Sequence, residues 1–139
     1  MGRYVLFRVR GERFALPLES IREVVTPQPP FSRVPRTSEA VCGAMNLRGR
    51  VVAVVDLAAL VGLPSQTLRE GSGQVLVLDQ GKRAVGVLIA GVQGVEEVEP
   101  PAGEGEALVR GVVASGAGAV TVLSPEALLT SMVELFGER

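Results

Sequence analysis

Histidine is absent from the chain, so neither a Ser-His-Asp nor a Cys-His relay can be assembled, nor any metal site that needs imidazole. A single cysteine, Cys42, rules out an internal disulfide, a CxxC redox pair and a thiolate cluster. It fits a reducing compartment, the cytoplasm by default. Aspartate occurs only at Asp56 and Asp79, and no DxD or DxN loop is present, whereas a carboxylate metal site needs three or more converging oxygens. No metal and no cofactor is expected. Tryptophan is missing and the aromatics amount to one Tyr and four Phe, few for a base-stacking platform. Positive charge is not in surplus: 14 Lys+Arg stand against 15 Asp+Glu, a net charge of -1, where binding to a phosphate backbone asks for a basic balance. Long apolar runs are lacking too. The longest, residues 51–63, is broken by Asp56 and is too short to cross a bilayer, and Met1-Gly2-Arg3-Tyr4 leads into a strand pattern with no apolar signal core. The expectation is a soluble cytoplasmic protein with no nucleic-acid partner and no direct membrane insertion.

What the chain does have is apolar material: 47% of its 139 residues are hydrophobic, and valine alone supplies 24. That length suits one compact domain, and the valine content biases it toward strands. Strand-like runs recur around glycine turns. Residues 4–9 and 13–18 flank Gly11-Glu12, and residues 44–47 and 50–55 flank Arg48-Gly49. Residues 75–79 and 83–89 flank Gln80-Gly81, and residues 109–114 and 120–123 flank Ser115-Gly116-Ala117-Gly118. Two lone runs, 22–26 and 94–98, each precede a proline-bearing segment, which brings the strand count to ten. A short helix is expected over 57–61, opened by Asp56 and stopped at Gly62-Leu63-Pro64. A second follows Ser124 as N-cap, with Pro125 at the first helical position and Leu128, Leu129, Met132, Val133 and Phe136 at helical spacing.

The order hairpin, lone strand, proline loop, hairpin, helix occurs twice, which suggests a two-fold repeat with its seam in the polar stretch 65–73. Ile21 and Val24 match Val92 and Val95 at an offset of 71, and Val52-x-Val54-Val55-Asp56 matches Val120-x-Val122-Leu123-Ser124 at an offset of 68. Ten short strands in two sets of five argue for two small barrels, because closure removes exposed strand edges. Each barrel would hold roughly 65 residues and be marginal alone, so a shared core is expected. Within a single domain spanning 1–139, subdomain one is expected at about 1–67 and subdomain two at about 68–139.

Little in this pattern carries catalysis. The Glu96-Glu97-x-Glu99 cluster reads as a solvated face. Gly71-Ser72-Gly73, Gly103-Glu104-Gly105 and Gly116-Ala117-Gly118 do not open a helix after a strand, and GxxxxGK[ST] does not occur, so these glycines read as turns. Cys42 has no base beside it and reads as a structural thiol. Arg33, Arg36, Arg48 and Arg50 gather basic charge with only Phe31 among them, which reads as a solvated or ion-paired set.

One stretch stands above this background. The run Val41-Cys42-Gly43-Ala44-Met45-Asn46-Leu47-Arg48-Gly49, continued through Val54-Val55-Asp56-Leu57, resembles the GxxNLRGxxxPxxDL signature of the CheW-type chemotaxis coupling proteins. Upstream, Gly11-x-x-Phe14-Ala15-Leu16-Pro17-Leu18-x-x-Ile21-Arg22-Glu23-Val24 is similar to the family's first hairpin and the element after it, with Val34-Pro35 following. Downstream, Ala84-Val85-Gly86-Val87-Leu88-Ile89 and Val92-x-x-Val95 are similar to a strand of the second half and the apolar pair beyond it. The likeness runs from about Tyr4 to about Leu129.

The resemblance implies a mainly β fold: two five-stranded SH3-like barrels packed on a shared core, with short helices and a C-terminal helix. It implies a protein that is not an enzyme but a cytoplasmic adaptor or scaffold of a two-component signal-transduction system. Its partners would be the regulatory domain of a CheA-type histidine kinase and the cytoplasmic tip of a methyl-accepting chemoreceptor. Carried onto this sequence, it implies partner-binding roles for Ile21, Glu23, Gly43 and Arg48, with Glu23 and Arg48 meeting across the first barrel. Val92 and Val95 would form an apolar patch facing the receptor, whose helical hairpin needs a groove lined by small aliphatic side chains. Ala53 and Ala90 stand where the family usually has proline and aspartate, and Ser124 where aspartate often precedes the last helix. Two other classes compete: a small β-barrel nucleic-acid-binding protein, which predicts steep salt dependence, and a carboxylate-using enzyme or metabolite-binding protein, which predicts ligand-induced stabilisation.

Overall fold

A computed structural model describes residues 2–27, 40–66, 73–80, 83–102, 107–116 and 118–136. Ten strands form: β1 (Gly2–Val9), β2 (Glu12–Pro17), β3 (Ile21–Val25), β4 (Val41–Leu47), β5 (Arg50–Asp56), β6 (Gln74–Gln80), β7 (Arg83–Ile89), β8 (Gly91–Val98), β9 (Val109–Ser115) and β10 (Gly118–Leu123). A one-turn helix α1 (Leu57–Leu60) follows β5, and α2 (Pro125–Phe136) follows β10. The four expected hairpins and both lone strands are present. The first turn sits at Arg10-Gly11 rather than Gly11-Glu12, because Val9 pairs with Glu12 and closes a two-residue loop. Arg10, Gly11, Arg48 and Gly49 all have positive φ, as the loops that match the right-handed twist of a hairpin require.

Both helices start where expected. The Asp56 carboxylate accepts from the Ala58 N–H at 3.0 Å, and the Ser124 hydroxyl accepts from the Ala127 N–H at 3.1 Å, each satisfying an orphan donor of a first helical turn. Ser124, which departs from the family's aspartate, therefore keeps the capping role. Leu128 and Met132, four residues apart on one face of α2, are fully buried.

The strands assemble into two five-stranded sheets, sheet I in the order β8-β1-β2-β10-β9 and sheet II in the order β3-β6-β7-β5-β4. The mainly β expectation holds, yet a boundary near residue 67 does not separate the two units. The hairpin β1-β2 joins β8–β10 in sheet I, while β6-β7 joins β3–β5 in sheet II. Each half of the chain thus gives its opening hairpin to the other's sheet, where the lone strand of that half pairs with it: β3 on β6 and β8 on β1.

The repeat holds residue by residue. Ile21 pairs with Leu78 and Val92 with Phe7, the same pairing moved by 71 positions. The parallel pairs Val54–Gly86 and Val122–Ala15 correspond likewise. Even the bulges recur: the ladder register skips Arg22 and Gln93, and likewise Cys42 and Arg110. Gly43 and Gly111 follow from this, with φ of 141° and 155° beside their bulges, a backbone region that side chains disfavour.

Tyr4, Val5, Leu6 and Phe7 are all buried, as are Val75, Leu76, Val77 and Leu78, a continuous apolar run expected of strands covered on both faces. One face lines a layer shared by the two sheets, in which Val5, Phe7, Leu76 and Leu78 pack with Leu128 and Met132 of α2. The other face lines each sheet's own interior, around Tyr4 and Leu6 in sheet I and Val75 and Val77 in sheet II. At one repeat-related position the two interiors hold Ala15 and Gly86. A Cβ on Gly86 would lie 2.5 Å from Cγ1 of the buried, β-branched Val75. Gly86→Ala is expected to destabilise the fold by about 1–3 kcal/mol through overpacking, read from the midpoint of chemical denaturation.

Candidate functional site

β3 is an edge strand of sheet II, and its bulge decides what it presents. Without an extra residue, Ile21 and Glu23 would point to the same side. Because Arg22 is bulged, Ile21 pairs opposite Leu78 and Glu23 opposite Val77, residues that line opposite faces of the sheet. Directly paired residues share a face. Ile21 thus packs on the shared layer, while Glu23 faces the open side of sheet II.

There Glu23 meets Arg48. The Arg48 guanidinium donates from Nη2 to Oε2 of Glu23, joining β3 to the β4–β5 turn across 25 residues of sequence. The Glu23 side chain is 24% exposed and that of Arg48 69%. The turn is tightened by the Asn46 side chain, whose Oδ1 accepts from the Gly49 N–H at 2.8 Å. The Arg48 hydrogen bond holds the Glu23 carboxyl below its usual 4.5; partial desolvation opposes this, and the charges of Arg48 and Arg22 reinforce it. Behind the pair lies a cleft of about 150 Å³, with Leu47, Val52, Val77 and Ala84 below and Arg22 and Arg50 beside the pair at its mouth.

The remaining candidates fall in three places. Gly43 is buried in β4 opposite Val54, where its backbone conformation explains the glycine. Val92 on β8 packs on the shared layer, and its N–H donates to Oε1 of Gln74 at 2.8 Å. Val95 pairs with Val5 and Val24 with Leu76, both buried in the shared layer, yet they are 52% and 38% exposed. The apolar layer therefore reaches the surface at two repeat-related edges, β3 and β8. Of the six candidates the structure joins Glu23 with Arg48 directly and places Ile21 and Val92 on one core. None of them lines the larger cavity of about 570 Å³ between Tyr4, Leu78, Arg110 and the start of α2.

Residue reading alone missed Arg22, Ala84 and Val77 as neighbours of the ion pair; the signal was the 71-residue repeat, which sets Ala84 against Arg13. Arg33, Arg36 and Phe31 of the basic set, Val34-Pro35 and most of the seam 65–73 lie outside the described residues, as do Gly103-Glu104-Gly105. Cys42 is half-buried against the interior of sheet II, and burial, with the Asp56 charge adding to it, pushes its thiol up to about 12. A thiol at that value is a poor nucleophile. Tyr4, Phe7 and Phe14 are buried, so none of these three rings offers a stacking platform. Among the described residues, no helix is long and apolar enough to cross a membrane.

Two mutually exchanged five-stranded sheets carrying an ion-paired, cleft-bearing edge define a small β-sheet domain. A family model described as a CheW-like domain matches residues 3–133, and the chain belongs to that family. Among curated relatives it is similar to the chemotaxis protein CheW of Bacillus subtilis (strain 168), 29% identical over 73 residues, 52% of this chain and 46% of that protein. It is similar to the chemotaxis protein CheW of Rhizobium meliloti (strain 1021), 33% identical over 93 residues, 63% of this chain and 56% of that protein. Protein PilI of Pseudomonas aeruginosa is 29% identical over 90 residues, 65% of this chain and 49% of that protein. The chain spans about half the length of the curated relatives it matches. Its fold is that of the scaffolding protein TtCheW from Thermoanaerobacter tengcongensis, with a TM-score of 0.74 at 21% identity over 88% of each chain.

A lowered Glu23 carboxyl means that the folded state releases its proton more readily than the unfolded one. The stabilising contribution of the pair is therefore complete above the usual value of 4.5 and is lost as pH falls through the folded value. A carbon-detected NMR titration is expected to place the Glu23 midpoint below 4.5 in the wild type and to return it toward 4.5 in Arg48→Asn.

Proposed function

We propose that this protein is a non-catalytic cytoplasmic adaptor that couples the cytoplasmic tip of a methyl-accepting chemoreceptor to the regulatory domain of a CheA-type histidine kinase. The observation that carries the reading is the Glu23–Arg48 pair, which sits at the positions where the family resemblance implies partner contacts. The names of the Bacillus subtilis and Rhizobium meliloti relatives, chemotaxis proteins, and the description of the Thermoanaerobacter protein as a scaffold support it.

In this reading sheet II meets the kinase through Glu23 and Arg48, with Gly43 shaping the strand beside them. The receptor tip meets the two margins where the shared layer surfaces, Ile21 with Val24 and Val92 with Val95. Aliphatic side chains standing at strand edges suit the apolar face of a helical hairpin. Each contact is small, so pairwise affinity is weak and strength comes from repetition in an array.

Isothermal titration against the kinase regulatory domain from the same genome tests the first half. Micromolar binding is expected, weakened about tenfold or more by Glu23→Arg and by Arg48→Glu. Arg48→Asn, which suits a positive-φ turn position, separates lost contact from lost folding. Undiminished binding in all three variants overturns the site, and absence of any binding by the wild type overturns the adaptor reading. For the second half, Val95→Glu is expected to abolish capture by a receptor-tip hairpin while leaving kinase affinity unchanged.

A further inference from the structure

The cleft beside Glu23 and Arg48 lies on sheet II, although sheet I repeats its strands register for register. The difference traces to one position. Ala84 on β7 lies in the cleft, and 71 residues earlier its counterpart on β2 is Arg13. In sheet I the Arg13 side chain crosses the corresponding space: Nε donates to Oε1 of Gln93 at 3.1 Å, Nη2 to Oγ of Ser115 at 2.8 Å, and Nη1 to the Ala119 carbonyl at 3.3 Å. Those partners occupy the places that Arg22, Leu47 and Val51 hold in sheet II. One side chain thus fills in sheet I what an alanine leaves empty in sheet II.

The open cleft has a definite chemistry. Its floor is aliphatic, from Val52, Val77 and Ala84, and about 150 Å³ is room for one branched aliphatic side chain. At its mouth three guanidinium groups, Arg22, Arg48 and Arg50, face one carboxylate, Glu23. Among the described residues Arg48 is ion-paired and Arg50 is not. The counterparts of Arg48 and Arg50 in sheet I are Gly116 and Gly118, and the guanidinium that lies there, that of Arg13, is held by Gln93, Ser115 and Ala119.

We propose that this cleft is a socket for an aliphatic side chain flanked by carboxylates on a protein partner. The aliphatic group enters over Ala84, and the carboxylates meet Arg22 and Arg50. Arg13, by filling the equivalent space, denies the same partner the other sheet, so the chain discriminates between its two similar faces by an obstruction on one of them. The identity of that partner as the kinase rests on the function proposed above; the socket itself does not.

Two probes test it: the regulatory domain of the CheA-type kinase from the same genome, and the peptide acetyl-Glu-Leu-Glu amide followed by methyl NMR. The acidic peptide is expected to shift the methyl signals of Leu47, Val52, Val77 and Ala84, while acetyl-Lys-Leu-Lys amide leaves them in place. Ala84→Leu fills the socket without adding charge, and Arg50→Glu reverses the charge at its mouth at the exposed first residue of β5. Each is expected to weaken kinase binding about tenfold or more and to abolish the peptide shifts, with Arg13→Ala matching the wild type in both. Should Ala84→Leu fail to fold, Arg50→Glu carries the test. Peptide shifts retained in both folded variants, equal shifts from the two peptides, or an equal loss in Arg13→Ala overturns the socket, and kinase binding retained in both folded variants overturns the kinase as its occupant. Peptide shifts with no kinase binding by the wild type uphold the socket and overturn only the kinase as its occupant.

Discussion

The apolar layer between the two sheets is what the other features of the molecule depend on. Each sheet borrows its opening hairpin from the other half of the chain, and the ladders that fasten the loan are β3 on β6 and β8 on β1. Neither half therefore closes a sheet by itself. A unit of roughly 65 residues is marginal alone, and the exchange ties the stability of each sheet to both halves of the chain. Phe7 and Leu78, which occupy the same place in the repeat, meet in one layer under α2. The consequence for function is geometric: an edge on sheet I and an edge on sheet II are held by the same packed side chains, so two partners docked on them are held at a fixed separation.

Within that frame the bulges convert edge strands into two-sided elements. An unbroken strand devotes alternate residues to one face. The extra residue, Arg22 in one and Gln93 in the other, switches the side midway. Each strand anchors in the shared layer through Ile21 or Val92, and beyond the bulge its residues alternate again, Glu23 toward the side of sheet II itself and Val24 and Val95 toward the shared layer. The backbone keeps the two-fold symmetry, while the side chains abandon it. Glu23 faces Gly94 across the repeat, Arg48 faces Gly116, and Ala84 faces Arg13. The ion pair and the cleft beside it thus belong to one copy of a duplicated surface.

Local features of this fold were legible in the sequence because their causes are local. Arg48-Gly49 turns a hairpin since both residues accept positive φ, and Asp56 and Ser124 open helices by accepting backbone N–H groups. Sheet membership was not legible, because nothing within 1–67 reports that β1 and β2 pair with β8 and β10; that choice is made by ladders between distant segments. The bulges left only a faint trace, the glycines at 43 and 111. The Glu23–Arg48 contact was anticipated from the family resemblance and not from spacing. Its surrounding cleft escaped notice because an alanine carries no signal until it is set beside Arg13.

The energetics of Arg48 argue for recognition and against a structural role. Its φ of 53° is a conformation that an L-residue with a long side chain adopts at a cost. An ion pair with one partner 69% exposed returns little of that cost in water, where solvent screens the attraction. The turn itself would be served as well by asparagine. What the arrangement does provide is a guanidinium held by Glu23 in one orientation at the mouth of an aliphatic cleft, with Arg22 and Arg50 beside it. When a partner covers that mouth and excludes water, the same charges act in a lower dielectric and their interactions strengthen. A pair that contributes little to the free protein thereby contributes most when the surface is occupied.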